Sequence, residues 1–328
     1  MVTAVAPARP GLGLALVSAA SFGMSGSLAA GLMDAGWSAA AAVTARVAIA
    51  AVVLAVPAAV ALRGRWGRVV RELDVVVAYG VVAVAGCQFA YFNAVRHMDV
   101  GMALLIEYMS PVLVVLWLWL RRGHRPGPRT VVGGVLALGG LTLVLNLFGG
   151  VHPSRVGVVW ALVATVGAAV YFMLSDVTDE PEDALPPIVL AAGGLVVGAL
   201  ALGIADVFGV LDFRASRQPV DLVGTRVAFW VPVVALGVIT AAIAYVTGIA
   251  ATRRLGARLA SFIALFEVLF ALVFAWLLLD QVPLGVQFAG AALVLGGVVL
   301  VKLGENDRGG AQLSSSPKPA TTSRSAPS

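Results

Sequence analysis

Apolar residues run along this chain in ten blocks, at residues 11–31, 38–61, 74–95, 100–120, 130–147, 156–175, 187–208, 227–251, 257–279 and 284–303, with short polar or charged stretches between them. Each block approaches the ~20 residues with which a helix crosses ~30 Å of hydrocarbon. A bilayer offers no water to the backbone, and a helix satisfies its own N–H and C=O groups where an isolated strand does not. The pattern therefore predicts an all-α integral membrane protein with ten transmembrane helices. The first block has no small-residue cleavage site and is read as an uncleaved anchor, not a signal peptide. Beyond residue 303 the chain is rich in Ser, Pro and Thr with no apolar period, which predicts a disordered tail over 304–328.

The blocks repeat. Residues 92–144 align without a gap on 249–301, at an offset of 157, and 14 of the 53 pairs are identical. The matches include Arg96/Arg253, Trp119/Trp276, Pro126/Pro283 and Gly139-Gly140/Gly296-Gly297, types that general hydrophobicity would not align. Ala15-Leu16-Val17 and Ala161-Leu162-Val163 match at an offset of 146, so the second half holds extra length, assigned to the polar loop 209–225. Five domains follow: an N-terminus (1–10), a first five-helix repeat (11–147), a linker (148–155), a second five-helix repeat (156–303) and the tail.

Composition agrees with the pattern. Only 12% of residues are charged, against roughly a quarter in a soluble domain. Placing the N-terminus inside puts 16 of the 22 basic residues in cytoplasmic segments, five outside, and Arg46 within a span. Both termini are then cytoplasmic. The two copies also carry opposite loop charges: Trp119 is followed by Leu120, Arg121 and Arg122, but Trp276 by Leu277, Leu278, Leu279 and Asp280. The repeats are therefore expected to be inverted, a plan that sets a transporter's substrate site near the midplane. The net charge of +5 lies in these loops and does not point to nucleic acid.

Three ionisable groups fall inside spans, where a charge costs several kcal/mol unless it faces a partner or a cavity. Glu267 lies mid-span on a stripe of small residues with Ala260, Ala264 and Ala271, placed to bind an ammonium group or a proton, or to tie helices together. Glu107 precedes Ser110 and Pro111, where the proline frees a backbone carbonyl for a ligand or marks a packed kink. Arg46 pairs with one of the two acids or holds a substrate carboxylate. Gln88 and Tyr91, with Phe92, and the aromatic residues Tyr108, Trp160, Tyr171 and Tyr245 are secondary candidates for a pocket wall, or for interfacial anchoring and packing. Ser18, Ser21 and Ser25 make a weakly polar helix face. Gly133 with Ala137, and Ala292 with Gly296, have the spacing that lets helices approach closely. Cys87 is expected as a buried small hydrophobe and has no second cysteine with which to form an intrachain disulfide.

Other chemistries lack their motifs. There is no phosphate-binding Gly-x-x-x-x-Gly-Lys loop, no His-Glu-x-x-His, no cysteine cluster and no Gly-x-Ser-x-Gly elbow. The three histidines, His97, His124 and His152, all stand near loops. No enzyme activity, cofactor or metal is expected.

The five-plus-five plan, the segment Tyr108-Met109-Ser110-Pro111-Val112, and the run Leu265-Phe266-Glu267-Val268-Leu269-Phe270-Ala271 with Ala275-Trp276-Leu277-Leu278-Leu279 and Gly296-Gly297 resemble the drug/metabolite transporter superfamily. Within it, the EamA-type family is the nearest match, most similar in its threonine/homoserine exporter branch, over about residues 11–303. Val268 departs from the Glu-Pro common in that family, and Gln281 and His124 stand where a loop glutamate is frequent. The resemblance implies a carrier of the bacterial inner membrane that exports amino acids or other small metabolites by alternating access. The partners expected are a small-molecule substrate and the lipid bilayer, and the two intramembrane carboxylates, not the resemblance, point to protons as a further one. A multidrug or cation exporter, and a non-transporting scaffold or lipid-binding protein, are the alternatives.

Overall fold

The computed structural model of the chain describes residues 9–95, 97–98, 100–123, 125–145, 154–176, 184–280 and 282–315. Arg96, His124, His152 and Gln281 lie outside them, as do most of the N-terminal segment and the linker. The first half contains α1 (Arg9–Asp34), α2 (Ala39–Leu62), α3 (Trp66–Arg71), α4 (Leu73–Ala78), a π-helical segment (Tyr79–Gly86), α5 (Cys87–Val95), α6 (Val100–Glu107), α7 (Ser110–Arg122) and α8 (Pro128–Val144). The second contains α9 (Arg155–Ser175), α10 (Pro187–Val207), strands β1 (Val220–Leu222) and β2 (Thr225–Val227), α11 (Trp230–Gly237), a second π-helical segment (Val238–Ile243), α12 (Ala244–Leu255), α13 (Ala257–Ala264), α14 (Phe266–Leu279) and α15 (Gly285–Ser315).

Among the described residues, nine helices have the length and apolarity to cross a membrane. The expected span 130–147 is the shorter apolar helix α8, which runs toward the undescribed residues 146–153. Helix α15 continues past residue 303 to Ser315, so the stretch expected as tail begins in helix.

The repeat offset reappears in three dimensions. The π-helical segments lie at equivalent positions, since 79–86 plus 157 gives 236–243. The fourth span breaks between α6 and α7 at Tyr108–Met109, and the ninth breaks between α13 and α14 at Leu265, the mate of Tyr108. Pro111 cannot donate to the Glu107 carbonyl, which accounts for the first break. The second forms without proline: Val268 N–H reaches back to Leu265 O at 3.2 Å.

Glycines set how closely the halves meet. A Cβ on Gly133 would strike the Gly297 carbonyl, and one on Gly297 the Gly133 carbonyl; Gly140 and Gly290 block each other in the same reciprocal way. Such contacts require α8 and α15 to run antiparallel about a pseudo-twofold axis. The expected stripe of Ala292 with Gly296 is thereby corrected. Gly296 meets open space, and the packed positions are Gly290 and Gly297, a seven-residue spacing that keeps one face toward the partner helix. Elsewhere Gly80 packs on Val197 and Gly194, and its mate Gly237 packs on Ile49 and Arg46. The third span of each half thus lies against the second span of the other.

The polar stretch after α10 leads into an element that the hydrophobic pattern did not reveal. β1 and β2 pair antiparallel, with Leu222 opposite Thr225. The two residues between them, Val223 (φ 56) and Gly224 (φ 67), are left-handed, as a tight hairpin turn of this hand requires. Val220 is fully buried with Leu28, Leu32 and Leu236. Val223 N–H donates to Leu278 O at 3.0 Å, and Trp37 Nε1 donates to Ser216 O at 2.7 Å. The hairpin thereby closes the end of the bundle where α1 and α14 finish.

Candidate functional site

A single cavity gathers most of the expected residues. The cavity measures about 150 Å³, and its wall includes Arg46, Gln88, Glu107, Tyr108, Ser110, Tyr171, Tyr245 and Glu267. Its contributions from α1 (Ala15–Phe22), α12 (Tyr245–Thr252) and α13 (Ala260 to Ala264) come from the halves of those spans farthest from the hairpin. The space therefore extends from mid-depth toward the side of the N-terminus.

The helix breaks bring the acids to this wall. Glu107 ends α6 and Glu267 lies in the first turn of α14, and their mates Ala264 and Ser110 line the same cavity. Gly23 of α1 packs against the backbone of Glu267 and Ala271 and the Phe270 Cβ, which fixes the depth of that carboxyl. Tyr108 faces Glu267 closely enough for its hydroxyl to interact with the carboxyl. The Cys87 thiol donates to Glu107 Oε1 at 3.4 Å and lines the cavity, so it contributes a polar contact as well as apolar packing.

Arg46 is 7% exposed, and among the described residues no ion pair joins it to either glutamate. The expected Arg–Glu pair is absent for a local reason. Thr240 lies in the second π-helical segment. One guanidinium nitrogen of Arg46 donates to Thr240 O at 2.7 Å, and the group lies 5.5 Å from the centre of the Phe22 ring. Its Nε is buried without a hydrogen-bond partner. A buried guanidinium that has lost water and found only a carbonyl and a ring retains capacity for an anion.

Aromatic rings and small residues complete the wall. Phe22 meets Tyr245 edge-on at 5.2 Å, and Tyr171 contacts Phe172 at 4.8 Å and Tyr79 and Tyr245 at 5.7 Å. Two expected residues do not belong to it. Trp160 packs edge-on against Phe89 at 5.6 Å, and Tyr91 packs with Trp160 and Phe92, a helical turn closer to the hairpin side than Gln88. Ser18 and Cys87 join the wall, as do Phe22, Phe172 and Gly248, which the sequence did not single out as site residues.

A bundle of apolar helices in two inverted repeats, with ionisable side chains lining a cavity near mid-depth, is the plan of a membrane transporter. The profile of the EamA-like transporter family matches residues 9–146 and 155–303, and the chain belongs to that family. It is 25% identical over 241 residues to the aromatic amino acid exporter YddG of Ancylobacter novellus, covering 74% of this chain and 80% of the relative. It is 26% identical over 234 residues to an uncharacterized transporter of Archaeoglobus fulgidus, covering 71% and 77%. A solved crystal structure, 21% identical, shares the fold with a TM-score of 0.70 over 89% of this chain and 98% of its own.

Proposed function

We propose that this transporter is a secondary-active exporter of amino acids or closely related amphipathic metabolites in a bacterial inner membrane. The observation that carries the reading is the combination in one cavity of an anion-seeking guanidinium, two carboxyls and an aromatic wall. An amino acid presents the complement: a carboxylate for Arg46, an ammonium for Glu267 or Glu107, and a side chain for Phe22, Tyr171, Phe172 and Tyr245. The name of the Ancylobacter relative supports the same class. With the N-terminus cytoplasmic, the cavity lies on the side from which an exporter loads.

Two carboxyls for one ammonium leave one free to carry a proton in exchange. In liposomes with an imposed pH gradient, Glu267→Gln and Glu107→Gln are each expected to lower the pH-driven flux by at least about tenfold, the worth of one charge-assisted interaction. Variants that both keep the wild-type pH profile refute proton coupling through these acids. A cation exporter would use the same carboxyls and rings, but Arg46 in the wall opposes it, and tetraphenylphosphonium is expected to show no flux.

A further inference from the structure

Gly248 stands inside α12, in the half of the eighth span farthest from the hairpin, where a glycine weakens a helix relative to alanine. The surroundings supply a reason for it. A Cβ at this position would overlap the Tyr171 hydroxyl and come within 2.7 Å of Ser18 Oγ. It would stand 3.4 Å from Tyr171 Cζ, an ordinary contact, so with Tyr171 the obstruction is the hydroxyl alone. The ring has little room to yield. Phe172, Tyr79 and Tyr245 pack around it at 4.8–5.7 Å, and the side left open is the cavity that Tyr171 lines. Ser18 is held as well, donating to Ala244 O at 2.8 Å.

We infer that Gly248 is a specificity-determining residue: by receiving the Tyr171 hydroxyl it keeps that ring withdrawn and leaves space in the cavity for a bulky apolar or aromatic substrate side chain. The inference rests on the amino-acid reading above and adds to it a size limit set by one missing methyl group. The mate of Gly248 in the first half is Tyr91, which lies off the cavity, so only one half sets the limit.

The test uses the full chain in liposomes, with counterflow of labelled alanine, leucine, phenylalanine and tryptophan. Gly248→Ala is expected to raise KM for phenylalanine and tryptophan about tenfold while alanine stays within about twofold, the scale at which pockets sense one methylene. Adding Tyr171→Phe removes the overlapping oxygen and is expected to bring the aromatic substrates back to within about threefold of wild type, the remainder reflecting Ser18. An equal effect of Gly248→Ala on all four amino acids overturns the inference, as does a double variant no better than the single one. Thermal unfolding reads the same coupling without transport: Gly248→Ala lowers Tm, and Tyr171→Phe in the same chain recovers most of the loss. Additive losses overturn the steric link. If Gly248→Ala does not fold, recovery of folding in the double variant supports the link and its absence overturns it. A wild-type chain that moves none of the four amino acids overturns the amino-acid reading and the substrate class with it, and the thermal cycle then decides the Gly248–Tyr171 contact alone.

Discussion

The two halves share a backbone and differ in what they place on it. Gly80 and Gly237 are mates, and the partners they meet across the interface, Gly194 and Arg46, occupy equivalent positions on α10 and α2. In one half that position holds a buried guanidinium pinned to the Thr240 carbonyl. In the other it holds a glycine, and the Tyr79 ring occupies the space a side chain would need. The mate of Thr240 is Ala83, also within a π-helical segment, but no cation lies opposite it. Equivalent backbone distortions therefore have different neighbours, a buried guanidinium in one half and a packed ring in the other. Symmetry sets the framework, and side-chain asymmetry gives the cavity its chemistry.

Removing the side chain that distinguishes the halves should have the largest effect. Arg46→Gln is expected to lower transport of a carboxylate-bearing substrate about 100-fold, from the loss of a charged hydrogen bond of up to ~3 kcal/mol. Decarboxylated amine analogues should lose far less. Equal losses for acid and amine would remove Arg46 from substrate recognition. Next come the glycine mates. Gly80→Ala is expected to cost about 2–3 kcal/mol of stability, because its new methyl meets the backbone carbonyl of Gly194 as well as Val197. Gly237→Ala is expected to cost about 1–2 kcal/mol, since its obstacle is the Ile49 side chain and the nearest backbone atom is 3.5 Å away. Thermal unfolding of the two variants in detergent decides the order, and a reversed order would mean that the α10 contact yields more easily than its geometry implies. The smallest effect belongs to the hairpin, which only the second half possesses. Val223→Gly relieves a left-handed β-branched residue and is expected to raise stability by about 1 kcal/mol, read as a modest rise in Tm. A fall in Tm would mean that the valine side chain contributes more than its backbone strain costs.

Much of the framework was legible in the chain because hydrophobic length and repeat offset report on backbone position. The spans, the inverted plan and the placement of Glu107, Glu267, Arg46 and Ser110 near one depth follow from those signals. The π-helical segments were not legible, since one wider turn leaves an apolar run apolar, and neither was the Thr240 carbonyl as the partner of Arg46. The hairpin was missed because strands of three residues are too short to show alternation. Tyr91 was grouped with Gln88 because residues three apart share a helix face, yet a face says nothing of depth, and one turn carries Tyr91 beyond the cavity's end. Gly248 left no signal at all. Its meaning lies in the Tyr171 hydroxyl, 77 positions away in sequence.

Carrying both repeats on one polypeptide has a consequence for stoichiometry. A cavity on the twofold axis of two identical subunits would receive every group in duplicate: two guanidiniums, four carboxyls, and two copies of Tyr171 with two of Gly248. A zwitterion has one charge of each sign and a definite end for its side chain, so a duplicated lining would offer it two equivalent and opposed orientations. Covalent fusion lets each position be occupied once. The cavity then has a polarity of its own, and a small dipolar solute can enter it in a single sense.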